Sequence, residues 1–345
     1  MVRSALSHFV GRGVAPGFEP VSPDVATTAL TTSMFDVDRT KEEASKAVKL
    51  ERLYHKGQNL AWRGQETLEE LVARHGRPSL PPEQARALRR LFAVILWGEL
   101  AAWKISADLA LRLGPLEAKM AATQQAHDEA RHFYVMHDYL ALLGHVPTDL
   151  GPAARRVLDG TLQANNLAKK LLGMQMMIEP MALTLFQVVR ERRIEPVLAD
   201  LLVLYERDEA RHVALGVLHL PELLRGATVR DAADLYRWQL SEYFGQFAML
   251  RELADAFAAL DIDPRAVVEL GRDKQLLAAR MLVDEMGTDW PMVDVFRRIT
   301  DARIELEWPK SGASNRKRDR VLRAVQRAVS RGVVEGELSN VATAS

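Results

Sequence analysis

Two stretches of the chain spell the same five residues, Asp128–His132 and Asp208–His212, eighty positions apart. On a helix, Glu129 and His132 lie three residues apart and share a face, and so do Glu209 and His212. Each pair is a two-donor unit, one carboxylate oxygen and one imidazole nitrogen, of the kind that binds divalent metals where no thiolate is available. Thirty residues before each of these glutamates stands another, Glu99 and Glu179. The set Glu99, Glu129, His132 therefore recurs as Glu179, Glu209, His212, while the sequence in between hardly repeats.

A lone Glu-x-x-His is ordinarily a solvated surface pair. The neighbours of these residues argue otherwise. At helical spacing, Glu99 shares its face with Phe92, Leu96, Trp103 and Ala110, and Glu179 with Leu172, Met176, Ala182, Leu183 and Phe186. Glu129 and His132 line up with Met136 and Leu140; Glu209 and His212 line up with Leu202, Tyr205 and Gly216. These are core stripes. A buried free carboxylate costs several kcal/mol, so four in one apolar interior need cations. Two divalent ions supply four positive charges against four glutamates, with one imidazole each. One Glu from each of two helices and a Glu-x-x-His from each of two more is the donor arrangement of dimetal carboxylate bundles.

The elements that would carry these residues read as helices. From Thr40 onward the chain is rich in Leu, Ala, Glu, Arg and Met, and its β-branched clusters are too sparse for a sheet. The pattern predicts helices near 41–75, 82–113, 116–143, 161–191, 194–219, 229–260 and 264–285. Breaks are expected at Arg77–Gln84, at Gly114 and Pro115, and at Gly144–Pro152. The expected fold class is all-α: a four-helix bundle, with its core at about 82–219, inside a helical domain of 41–300. Residues 1–40, with Pro16, Pro20 and Pro23, suit an extended arm. Residues 301–345 form a polar, basic extension holding an amphipathic helix near 315–331, with Val321, Leu322, Val325 and Val329 on one side of a solvated helix lying on the main body.

With 46 basic and 46 acidic residues the net charge is zero, which gives no global attraction to nucleic acid. The chain has no cysteine, which excludes disulfides, catalytic thiols and cysteine-ligated iron–sulfur clusters. The N-terminus has no signal-peptide core and no stretch reads as a membrane span, so a cytoplasmic protein is expected.

On the paired motifs the chain resembles the ferritin-like superfamily of di-iron carboxylate proteins, and within it the O2-activating branch: hydroxylase subunits of multicomponent monooxygenases, acyl-carrier-protein desaturases and arylamine N-oxygenases. The resemblance covers roughly residues 45–245. It implies that Glu99, Glu129 and His132 hold one iron and Glu179, Glu209 and His212 the other, with Glu129 and Glu209 bridging, and that manganese or a mixed Mn/Fe pair is an alternative. It also implies that Asp128 orients His212 and Asp208 orients His132, compensated by Arg131 and Arg211.

Three positions depart from the branch's patterns. Met136 stands where radical-storing relatives have a tyrosine, Tyr205 where the N-oxygenases have a further histidine, and Ala182 and Leu183 where desaturases and hydroxylases often have a threonine. Tyr205 then reads as a buried hydrogen-bonding residue. The implied function is an O2-dependent oxygenase or oxidase acting on a small apolar or aromatic substrate. Because no cysteine cluster or dinucleotide loop is visible, electrons are expected from a separate electron-donor protein or from the substrate itself, and a homodimer is compatible. The alternatives are a ferroxidase or iron-handling protein, or a subunit of a multicomponent monooxygenase. His55, His127, His137 and His219 lack a matching partner pattern, and Met174, Met176, Met177 and Met181 read as adaptable core packing.

Overall fold

The structure, a computed structural model, describes residues 16–20, 48–287, 292–310, 312–314 and 316–330. All the regular elements among them are helical. Two short helices, α1 (Val48–Asn59) and α2 (Gly64–His75), precede the long α3 (Pro82–Arg112) and α4 (Leu116–Leu142). Next come α5 (Pro152–Leu162) and α6 (Leu167–Gly173), which runs through a π-turn at Met174–Ile178 into α7 (Glu179–Glu191), and then α8 (Pro196–Leu223). Helices α9 (Val229–Glu252), α10 (Ala254–Ala259), α11 (Pro264–Met286), α12 (Met292–Glu307) and α13 (Lys317–Val329) complete the order.

The bundle is built from α3, α4, α6–α7 and α8. Helix α3 packs along α4 and α7 packs along α8, while α1 and α2 lie on α4 and α8, α11 lies on α7 and α8, and α5 pairs with α9. Local chemistry starts these helices where they start. Pro82, Pro196 and Pro264 occupy first-turn positions that need no N–H. The Glu195 carboxylate accepts from the Val197 and Leu198 amides and from the Tyr139 hydroxyl, and Thr228 with Asp231 forms a reciprocal capping box.

Two apolar cores stack along the bundle axis. One is centred on Leu88, Phe92, Met136, Phe186 and Leu201, the other on Leu109, Ala122, Leu171, Val213 and Leu220. The motif residues fall between them. Leu167–Glu191 is long and apolar enough to cross a membrane, but 78% of its most apolar window is buried inside the protein.

The helix boundaries differ from expectation in instructive places. The segment expected as one helix over 41–75 is two from Val48 onward, broken at 60–63; residues 41–47 lie outside the described residues. The helix expected at 161–191 starts at Leu167, because the Asn166 side chain accepts from the Lys169 amide and caps it, and a separate helix ends just before. A break at Leu253 divides the segment expected over 229–260. Helix α12 was not expected; it runs through residue 300, and its Phe296 and Ile304 are buried. Helix α13 holds to the body through Ala324 and through Arg327, which reaches Glu305 and Glu269. Its Val321, Leu322, Val325 and Val329 face solvent. Of the expected arm, residues 16–20 are described, with Phe18 at the edge of the second core; the remainder lies outside the described residues.

Candidate metal centre

Helices α3, α4, α7 and α8 bring Glu99, Glu129, His132, Glu179, Glu209 and His212 together, none more than 4% exposed. Their donor atoms form two overlapping sets. Glu99, Glu129, His132 and Glu209 lie within 4.8 Å of one another, and so do Glu129, Glu179, Glu209 and His212. Glu129 and Glu209 belong to both sets. His132 Nδ1 stands 3.4 Å from Glu99, 3.5 Å from Glu129 and 3.1 Å from Glu209. His212 Nδ1 stands 2.6 Å from Glu209, 3.0 Å from Glu129 and 3.6 Å from Glu179. Yet His132 Nδ1, Glu129 Oε2 and Glu209 Oε1, all fully buried, make no hydrogen bond. These atoms crowd together without hydrogen-bonding one another. Hard oxygen and imidazole donors, buried, overlapping and in part unsatisfied, are able to bind a dimetal centre.

The far side of each imidazole is anchored across the bundle. Asp208 Oδ2 lies 3.2 Å from His132 Nε2, and Asp128 Oδ2 lies 3.5 Å from His212 Nε2. Arg131 donates to Asp128 at 2.6 Å and to Asp208 at 2.8 Å, and Arg211 donates to the same two at 3.1 and 2.8 Å. Two buried aspartates and two arginines thus close a neutral square beneath the histidines. Asp208 also accepts from Trp62 Nε1 at 2.7 Å, and the Arg131 guanidinium sits over the Trp62 ring. Gln124 donates to Asp128 at 3.0 Å; at Gly57 of α1 a Cβ would lie 2.4 Å from the Gln124 side chain, so only glycine lets α1 approach this closely. Tyr205 stacks on the His132 ring at 4.2 Å between centroids and donates its hydroxyl to the His132 carbonyl at 2.6 Å. It fixes α4 against α8.

The electrostatics follow from this crowding. Burial pushes Glu99 well above the usual carboxylate range, reinforced by the charge of Glu209, and Glu179 is raised by burial and by Glu209 and Glu129. Glu129 and Glu209 go the other way: burial opposes their ionisation, but the two histidines outweigh it and hold both low. Burial likewise disfavours charge on His132 and His212, but the surrounding carboxylates raise both well above the ordinary value. Asp128 and Asp208 stay low because histidine and arginine overcome their burial. Without metal, burial thus favours the protonated form of Glu99 and Glu179, while the carboxylates around His132 and His212 favour the charged imidazoles.

Sequence reasoning missed several residues that touch this centre. Gln125 donates to Glu129 at 3.1 Å and to Glu179 at 2.8 Å, and Gln175 donates to Gln125 at 2.9 Å. Both glutamines stand four residues before a motif glutamate, a spacing visible in the sequence. Gln246 and Gln275 left no such signal. Both donate to the Met177 carbonyl at 3.2 Å, and Gln275 also donates to Gln246 Oε1 at 2.7 Å. In the π-turn the Glu179 amide bonds back to the Met174 carbonyl, five residues earlier, and Pro180 has no N–H to give. The two glutamines cap a carbonyl of that altered turn. Gly216 makes room for it: a Cβ there would lie 2.6 Å from Gln175 Cβ. Of the other histidines, His55, His127 and His137 are exposed, whereas His219 is buried with neither ring nitrogen hydrogen-bonded, and burial holds its pKa down.

An apolar cavity of about 50 Å³ opens on the Glu99 and Glu179 side of the cluster, between α3, α5, α7 and α9. Val94, Ile95, Val157, Leu158, Met181 and Leu185 supply most of its wall. The backbone at Gly98 borders it, and a Cβ there would meet nothing within 4 Å.

No protein-family model matches the chain, and no curated protein matches it in sequence. Solved structures do. An R2-like ligand-binding oxidase with aerobically reconstituted Mn/Fe cofactor is 18% identical, with a TM-score of 0.56, over 67% of this chain and 92% of that one. A variant structure with aerobically reconstituted Fe/Fe cofactor is 17% identical, with a TM-score of 0.55, over 67% and 92%. Another variant, with aerobically reconstituted Mn/Fe cofactor, is 17% identical with a TM-score of 0.55 over 67% and 93%. The fold is the ferritin-like helical fold of these proteins.

Proposed function

We propose that the protein is an O2-using oxidase or oxygenase in which Glu99, Glu129, His132, Glu179, Glu209 and His212 hold two metal ions, Fe/Fe or Mn/Fe, and that its substrate is a small apolar molecule. The observation that carries this reading is the pair of overlapping donor sets sharing Glu129 and Glu209, with each imidazole backed by an aspartate from the opposite motif. Iron and manganese, when bound, supply the redox chemistry that activates O2. The neighbouring structures bear such cofactors by their descriptions.

The chain's own residues do the rest. Glu129 and Glu209, the two carboxylates common to both sets, would be shared by the two ions, while Glu99 and Glu179, which line the cavity, would each belong to one. Asp128 and Asp208 accept the outer N–H of His212 and His132, which directs each Nδ1 lone pair inward. Arg131 and Arg211 keep those aspartates ionised. The two apolar cores keep bulk water away from both ends of the cluster. The cavity wall is largely aliphatic, supplied by Val94, Ile95, Val157, Leu158 and Leu185, which suits a small apolar substrate. Met136, at the position where radical-storing relatives carry tyrosine, is a buried core side chain and offers no phenol there.

The test is anaerobic loading with Fe(II), or with Mn(II) and Fe(II), followed by rapid mixing with O2. Two metals per chain and an O2-dependent optical transient whose decay quickens with an aliphatic compound support the reading. Metal binding followed only by release of ferric iron would replace it with a ferroxidase.

A further inference from the structure

Resting on the reading that the cavity beside Glu99 and Glu179 receives the substrate, we propose that Gln246 is its specificity-determining residue, and that the substrate is a neutral, aliphatic molecule bearing one hydrogen-bond acceptor oxygen, such as a ketone, ether or alcohol. Among the residues that line the cavity, the only polar side chains besides Glu99 and Glu179 is that of Gln246, and there is no lysine, arginine or histidine. An anionic substrate would find no counter-charge from a side chain, since the four glutamates already balance two divalent ions.

Gln246 is 2% exposed, and its amide is locked in one orientation. Its Oε1 accepts from Gln275 Nε2 at 2.7 Å, and its Nε2 donates to the Met177 carbonyl at 3.2 Å. A primary amide has two N–H groups. One is committed to Met177, and the other is the donor that this otherwise apolar wall offers. The Met177 carbonyl requires the amide nitrogen on its own side, and Gln275, which lies outside the cavity, donates to the amide oxygen without being needed to set that orientation. The recognition element therefore selects an acceptor over a donor, on the α9 wall across from the carboxylates. A bound molecule is held by its oxygen at Gln246 with its hydrocarbon part toward Glu99 and Glu179.

The experiment uses the full chain loaded with Mn(II) under nitrogen, so that no turnover occurs, with metal content measured on every sample. Binding of 2-pentanone and n-pentane is followed by headspace gas chromatography, and of butanoate by equilibrium dialysis. The expected order is 2-pentanone tightest and butanoate weakest. Gln246→Leu should weaken 2-pentanone about five- to tenfold, the loss of one buried hydrogen bond, and leave n-pentane within about twofold. Gly98→Leu, which fills the cavity, should abolish binding of both. Gln275→Leu strips the same Met177 carbonyl without touching the cavity wall and should retain most of the preference for the ketone.

An unchanged ketone preference in folded Gln246→Leu, butanoate binding tighter than 2-pentanone, or a loss as complete in Gln275→Leu as in Gln246→Leu would each overturn the assignment. A ketone preference in protein that holds no metal would uphold Gln246 and sink the oxidase reading, which keeps the two apart.

Discussion

Loading the centre with metal should expel about four protons, two for each ion, and the number follows from the charges of the site. In the metal-free protein Glu99 and Glu179 are raised by burial, and His132 and His212 are raised by their carboxylate neighbours, which biases these four groups toward their protonated forms, while Glu129 and Glu209 are biased toward ionisation. Two divalent ions carry the same total charge as four protons, so the exchange leaves the buried core neutral before and after. Any other stoichiometry would strand charge in the apolar interior. Each proton released makes binding more favourable by about 1.4 kcal/mol per pH unit, so with two per ion the apparent affinity for each metal should rise about a hundredfold per unit between pH 6 and pH 8.

Stability moves the opposite way without metal. All four groups have folded pKa values above their unfolded ones, so their contribution is present below the unfolded values and fades as pH rises; for the histidines that is above about 6.5. Metal-free protein should melt lower at pH 8 than at pH 6. At a hundredfold excess over the dissociation constant, two ions add about 5 kcal/mol, which for a chain of 345 residues is a rise of about 7 °C. Proton release is read with an indicator dye in weakly buffered anaerobic solution during Mn(II) addition, and the melting temperature by calorimetry with and without Mn(II). Release of fewer than about one proton per ion, or an affinity flat across pH 6 to 8, would refute the neutral-exchange argument.

Four substitutions test separate parts of the centre. Glu129→Ala or His212→Ala should bind at least one metal equivalent fewer and lose O2 reactivity, as read by elemental analysis and stopped-flow absorbance; two metals and full reactivity would remove these residues from the centre. Asp208→Asn should weaken metal binding about 10- to 100-fold through misorientation of His132, with Trp62 also losing a charged acceptor at 2.7 Å; unchanged competition against a chelator would count against its orienting role. Tyr205→Phe, which deletes the fully buried hydroxyl bonded to the His132 carbonyl, should cost about 1 kcal/mol in urea unfolding, with metal stoichiometry preserved.

The donor set was legible in the sequence because a helix has a fixed period. Once 116–143 and 194–219 read as helices, Glu129 with His132 and Glu209 with His212 had to share faces, and the apolar neighbours of Glu99 and Glu179 placed those acids on inward stripes. The all-helical fold was legible for the same reason, and so were the starts at Pro82 and Pro264. Local competition between side chain and backbone was not: Asn166 ends one helix and caps the next, and the break at 60–63 aligns Trp62 with Asp208, a partner 146 residues away. A period says which face a residue occupies, but not how far along the bundle axis its helix slides against its neighbours. That offset, set by how the two apolar cores interlock, places Asp208 on His132 and Asp128 on His212, and closes the two-arginine square. It also brings Gln246 and Gln275, 69 and 98 residues from Met177, onto the Met177 carbonyl in the π-turn. The sequence alone determined which atoms could bind metal; packing across the bundle decided which of them meet, which way the imidazoles point, and which wall the cavity opens through.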